Sequence, residues 1–406
     1  RYENPTDPDR NHPVRYLILL TTPPTPGGGG GGEAGESGIV ASLVEDAAYP
    51  EAFSYLSGVR ELPDGRLLAA DPLSQVLLRV DMDSGTADTL GAVGGGPEEY
   101  EQPDHVFALP GDSTLLVDLG KSYLTVVGPD GGFHGGLPMV ANGEDGRLSL
   151  LIPEAVDGHG RIYSQGGGMS RGGPEDSVSV SRFDRDTREA EVVARLWRTK
   201  PEVTGRSGGA VMMSLPRMLP RDTWAVGEDG RIAVIRANGY SVEWHLPHGQ
   251  VVRGPETPFE SMPIGYEDKV AELEQSRSGG MAVSISTNSS GGAQMQMRRG
   301  GMGMGGDGPS VEEEEWAETF PPFQEDGHLV SPANDVWVLR WLPVGRPPQM
   351  DVFGSDGKLK GSVVLPEGRQ LIGFGEGPDG SEVAYLVRTD EVDLKWLERY
   401  RIVWND

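Results

Sequence analysis

Val59-Arg60-Glu61-Leu62-Pro63-Asp64-Gly65-Arg66-Leu67-Leu68-Ala69-Ala70-Asp71 reads as two short strands joined by a tight turn. Asp-Gly between apolar runs supplies the positive φ that a hairpin turn needs at low cost. The pattern recurs. Residues 105–118 turn at Pro110-Gly111-Asp112, 152–165 near Asp157-Gly158, and 224–236 at Glu228-Asp229-Gly230. Residues 329–340 turn at Ala333-Asn334-Asp335, and 371–388 at Pro378-Asp379-Gly380. A second hairpin follows in each unit, as at Asp83-Ser84-Gly85, Pro129-Asp130-Gly131 and Asp356-Gly357. Four strands per unit, with Gly65 and Gly111 46 residues apart, match one propeller blade. Six first turns predict six blades.

The sixth unit runs out after its third strand, at Trp404. The stretch 38–45, Gly-Ile-Val-Ala-Ser-Leu-Val-Glu, precedes the first blade and alternates in the period of a strand. It is expected to supply the missing fourth strand and close the ring. The expected fold is therefore all-β: a six-bladed β-propeller over residues 38–406, with residues 1–37 as an N-terminal arm. An insertion at 264–320 parts blades four and five. Within it, 267–275 and 311–319 read as short acidic helices. Residues 277–308, with ten glycines and five methionines, read as a mobile loop.

Composition fits this architecture. Of 406 residues, 60 are glycine and 32 proline, and 36% are hydrophobic, which favours many short strands over long helices. The net charge of −27 argues against nucleic acid and against a bare anionic lipid surface. There is no cysteine, so disulfides, thiolate metal sites and cysteine nucleophiles are excluded. No apolar run reaches the 18 residues of a membrane span.

The stretch 67–81, Leu-Leu-Ala-Ala-Asp-Pro-Leu-Ser-Gln-Val-Leu-Leu-Arg-Val-Asp, resembles an NHL-type propeller repeat. Gly94-Gly95-Gly96-Pro97-Glu98-Glu99-Tyr100 followed by Pro103 is similar to that family's link between blades, and 109–118 fits as well. With Phe320-Pro321-Pro322-Phe323 after the Gly/Met-rich insertion, the chain resembles exported six-bladed propellers of high-GC bacteria. The resemblance implies the fold and a periplasmic or extracellular location. Blades three to six depart from the repeat pattern, so a shared ligand site is not implied.

Aligning the repeats places Asp71, Asp118, Gln165, Arg236, Arg340 and Arg388 at the ends of the six second strands. They are expected around one channel mouth, half acidic and half basic, as a ligand- or partner-binding ring. The competing reading is ion pairing of these Asp and Arg residues with neighbouring blades. Tyr16, Leu17, Ile18, Leu19 and Leu20 form a strand-like stretch, read either as the remnant of a membrane-targeting or lipid-anchor segment or as an arm that docks on another protein. Two stretches match G-x-S-x-G, around Ser170 and Ser207, but in glycine-rich loops rather than before helices. His245 and His248 lack a third ligand, and His105 reads as a satisfied core histidine on an inner strand.

With no nucleophile–base pair, metal set or cofactor loop in view, the sequence suggests a non-catalytic extracytoplasmic scaffold without cofactor. The concrete form is an extrinsic subunit bracing a membrane-associated assembly of the respiratory or photosynthetic type, its partners being other protein subunits. One alternative is a metal-dependent propeller hydrolase or lactonase whose metal is held by Asp71 and Asp118. Another is a secreted carbohydrate binder.

Overall fold

The structure, a computed structural model, describes residues 38–405 apart from 143–147, 167–168, 171–172, 175, 201, 208–209, 279–280, 288–292 and 300–309. The arm stretch Tyr16 to Leu20 lies outside the described residues. Six four-stranded antiparallel sheets form the blades, each running outward from a central channel, in chain order in blades one to five. The inner strands are Val59–Glu61, Pro103–Ala108, Ala155–Val156, Thr223–Val226, Leu329–Val330 and Arg369–Glu376. In the sixth blade the outermost place is taken by Ala41–Ala48, which pairs antiparallel with Lys395–Trp404 from Ala41↔Trp404 to Ala48↔Glu398. The strand expected to close the ring does so.

The second strands are buried on both faces, which explains their unbroken apolar character. In Leu67–Asp71, Leu67 and Ala69 pack into the cluster shared with blade 6, while Leu68 and Ala70 pack into the cluster shared with blade 2. The period-two alternation that would separate core from solvent in an ordinary sheet here separates one neighbouring blade from the other. Every seam is filled in this way, with Trp244 and Trp337 the largest fully buried side chains.

Close approach fixes some residues in these seams. At Gly254, after the outer strand of blade 4, an added Cβ would stand 1.9 Å from the Gly357 carbonyl oxygen and 2.4 Å from its carbon. Backbone, not a flexible side chain, would have to move. Gly254→Ala is expected to destabilise the protein by about 2–4 kcal/mol, read as a lower urea midpoint with unchanged m-value.

Blade 5 holds a fully enclosed imidazole. His328 Nε2–H donates to the Gln324 carbonyl at 2.8 Å, and Nδ1 accepts the Leu339 N–H at 3.1 Å. Burial disfavours the imidazolium and lowers the pKa to about 4, against the opposing hydrogen bond to Gln324. The unfolded chain takes up this proton near pH 6.5 and the folded protein does not. Stability present above pH 6.5 is therefore lost as pH falls toward 4, by about 3 kcal/mol from this residue. Comparing urea unfolding of wild type and His328→Gln at pH 7 and pH 4 should show that component missing from the variant.

Strand polarity divides the connections. Links from first to second strands fall on one face of the ring, and those from second to third strands and into the next blade on the other. The first face carries the tight turns. The second carries every larger excursion: the hairpins Val140–Asn142/Leu148–Leu150, Met169–Ser170/Gly173–Pro174, Glu202–Ser207/Ala210–Ser214 and Met281–Thr287/Ala293–Arg299, and the helix Tyr266–Ser278.

Two expectations for the insertion are corrected. Residues 277–308 are not simply a loop. Met281–Thr287 pairs with Ala293–Arg299, with Val283 opposite Met297 and Ile285 opposite Met295, so local alternation outweighs the glycine content. Residues 311–319 do not form a helix. Four successive glutamates repel one another, and nine residues cannot offset helix nucleation. Their backbone bonds instead to the blade, with Arg217 N–H donating to the Glu315 carbonyl and Ala317 N–H to that of Arg217. The helix Tyr266–Ser278, around the expected 267–275, is started by Asp268, whose carboxylate accepts the Gly265 N–H at 2.8 Å.

Candidate active site

On the face bearing the excursions, each inner strand is entered by a link from the preceding blade. The link into blade 1 is held at Phe53, which exchanges two backbone hydrogen bonds with Lys395, each 2.8 Å. Leu56 is buried in the seam between blades 6 and 1. Ser57 and Gly58 follow at the channel mouth, just ahead of the inner strand. In blade 2 the register slips between Pro103↔Asp118 and His105↔Val117, leaving Asp104 as an extra residue. Neighbours on a regular strand point to opposite faces; at a bulge they can converge.

Here they do converge. Asp104 Oδ2 lies 2.7 Å from His105 Nδ1, and His105 Nε2 lies 3.0 Å from Ser57 Oγ. The Asp104 residue is 5% exposed, whereas the His105 side chain is 28% exposed. A buried carboxylate holds the histidine tautomer whose Nε2 is free to accept the serine proton. Phe107 stacks on the imidazole, with centroids 5.8 Å apart and planes 16° off parallel. The Gly58 N–H lies outside the ladder to the second strand, which begins at Val59↔Ala69, and the residue has no side chain to shield Ser57. A serine hydroxyl, an imidazole and a carboxylate stand in hydrogen-bond sequence, the order that nucleophilic catalysis requires.

The six residues expected around the mouth are placed as follows. Asp71 accepts the N–H groups of Ser54 at 2.6 Å, Leu73 at 3.0 Å and Ser74 at 2.9 Å. Asp118 accepts those of Glu101 at 3.0 Å, Gln102 at 2.9 Å and Lys121 at 3.2 Å. The two carboxylates thus pin the links that present Ser57 and Asp104–His105. Gln165 accepts the Trp224 indole N–H at 3.1 Å. Arg236 pairs with Asp222 at 2.7 Å and Glu243 at 2.6 Å, and Arg388 with Glu398 at 3.1 Å. Arg340 stands 3.7 Å from Asp351. These ion pairs lie within single blades.

A metal on Asp71 and Asp118 does not fit this arrangement. Their oxygens are turned onto backbone amides at hydrogen-bond distance, and the two belong to different links. Among the described residues no three of His, Asp and Glu are grouped to hold a metal ion. The G-x-S-x-G serines also lack the required setting. Ser170 lies in the strand Met169–Ser170 and Ser207 ends the strand Glu202–Ser207, each paired with another strand rather than leading into a helix.

Across the mouth, blades 3 and 5 present Glu154, Glu325 and Asp326. Protein crowding pushes all three carboxyls above their usual range, most directly by desolvation. Arg221 Nε meets Glu325 at 2.6 Å and opposes the rise. His245 stands 3.6 Å from Glu243, and among the described residues it belongs to no group that could hold a metal.

No protein-family model and no curated protein matches the chain. Solved structures do. A member of the DUF4221 family from Bacteroides vulgatus is 10% identical, with 92% of this chain and 99% of that one covered and a TM-score of 0.44. A gluconolactonase from Xanthomonas campestris is 13% identical, with 92% and 99% covered and a TM-score of 0.41. A virginiamycin B lyase from Staphylococcus aureus is 10% identical, with 89% and 100% covered and a TM-score of 0.34. At these values the likeness goes no further than architecture.

The expectation of a non-enzyme is nevertheless corrected. Two of these three neighbours are named as enzymes. The premise that no nucleophile–base pair exists is also overturned, by Ser57 and His105. The sequence did carry a signal. Shifted by the 46-residue offset between the first two repeats, Ser57 falls on Pro103, directly before Asp104-His105.

Proposed function

We propose that the protein is a serine hydrolase of small-molecule esters or lactones, acting at the channel mouth between blades 1 and 2. The observation that supports this is the relay Ser57 Oγ–His105 Nε2 at 3.0 Å and His105 Nδ1–Asp104 Oδ2 at 2.7 Å. Ser57 Oγ attacks the acyl carbon while His105 Nε2 takes its proton. Asp104 accepts the Nδ1–H and stabilises the imidazolium. The Gly58 N–H is placed next to the nucleophile to donate to the developing oxyanion. As the acyl–oxygen bond breaks, His105 returns the proton to the leaving oxygen. Water activated by the same histidine then cleaves the Ser57 ester and releases the acid. Asp71 and Asp118 act as positioning residues, through the links they pin.

The test is covalent. A fluorophosphonate probe should phosphonylate one residue, and peptide mass mapping should place it on Ser57. Labelling should vanish in both Ser57→Ala and His105→Ala. Absence of labelling in the folded wild type, or labelling at another serine, would end this reading.

A further inference from the structure

Arg60, in the middle of the inner strand of blade 1, is 7% exposed. Its Nη1 donates to Thr114 Oγ1 at 2.5 Å, and its Nε is buried with no hydrogen-bond partner. Thr114 is 1% exposed and opens the second strand of blade 2, whose Leu116 joins Leu68 and Val106 in the apolar seam between the two blades. Among the described residues Arg60 forms no ion pair; Asp112 acts on it only through its field. The fold treats its other deeply buried guanidinium differently. Arg399, 4% exposed, is met by Asp46 and Asp83, each at 2.6 Å.

A buried charge without a partner costs several kcal/mol, and arginine cannot shed its proton to escape that cost. The counter-charge at Arg60 must then come from outside the chain. The surrounding seam is apolar, so the complement is small and singly charged. We infer that the Nε side of Arg60 forms a binding site for a halide-sized monoanion between blades 1 and 2. Nη1 stays committed to Thr114, which leaves the Nε edge of the guanidinium to the anion. The site is independent of the serine relay.

The experiment starts from protein exchanged into a buffer whose only anion is a bulky organic sulfonate. Chloride then replaces sulfonate at constant ionic strength. The wild-type thermal midpoint should rise saturably, by about 3 °C or more, since a ligand of the native state alone stabilises it. Ser57→Ala should respond identically. Arg60→Met should show no saturable rise and should melt no lower than chloride-free wild type, having no unpaired charge to bury. Equal responses in wild type and Arg60→Met would overturn the site.

Should Arg60→Met fail to fold, crystals of the wild type soaked in bromide decide. An anomalous peak within hydrogen-bond distance of Arg60 Nε supports the site. Peaks only elsewhere, meaning an adventitious ion only, overturn it.

Discussion

Ser57→Ala should lower kcat for ester hydrolysis by at least about a thousandfold while leaving the protein folded. The side chain removed is one hydroxyl on a half-buried link, and its one hydrogen bond, to His105, is worth only about 1 kcal/mol to the fold. Rate and stability should therefore separate cleanly, with thermal midpoints nearly equal and the rate gone. Asp104→Asn gives a different signature. The amide preserves the bulge but can donate to Nδ1, which turns the proton of His105 to Nε2 and blocks it as a base. A loss of roughly 10³–10⁴-fold is expected, with a shifted pH profile for kcat/KM. A Ser57→Ala protein as active as wild type would sink the proposed mechanism.

Removing residues 1–50 should cost the protein its cooperative fold, whereas removing 1–37 should not. The difference is the strand Ala41–Ala48, the outermost of blade 6. Ala41 belongs to the buried cluster between blades 5 and 6, with Leu43 packed against it. Arg399 takes one of its two carboxylates from Asp46. Loss of the strand would leave Lys395–Trp404 as a ten-residue unpaired edge and Arg399 half compensated. The expected result for the longer truncation is aggregation or a melting transition lowered by more than about 10 °C. A shorter truncation that melts like the full chain completes the comparison; equal behaviour of both would show that closure contributes little.

The ring was legible because each second strand repeats one chemical sentence: turn, apolar run, charged or amide residue. Leu67–Asp71 and Thr114–Asp118 are nearly superimposable as text, and register follows from a period of two. Asp71 and Asp118 were legible as special positions, but not in their work. A carboxylate that pins a link and one that faces a ligand look alike until the amides around it are placed. The relay was hidden for another reason. Asp104 and His105 are adjacent, which on a regular strand would send them apart, and only the bulge after Pro103 joins them. No local pattern in the sequence announces a bulge. The helix expected at 311–319 failed because its acidic signal was real but its backbone found better partners in the chain around Arg217.

The division of the ring into a face of tight turns and a face of excursions also makes the molecule easy to handle. The chain has no cysteine. A single thiol introduced by Asp64→Cys, in the Pro63-Asp64-Gly65 turn between first and second strands where the side chain is 49% exposed, would be the only thiol in the protein. Coupled through it to a bead, an electrode or a sensor chip, every molecule would sit with its mouth turned to the solution. One conjugation chemistry would thus give an oriented monolayer with every channel entrance open.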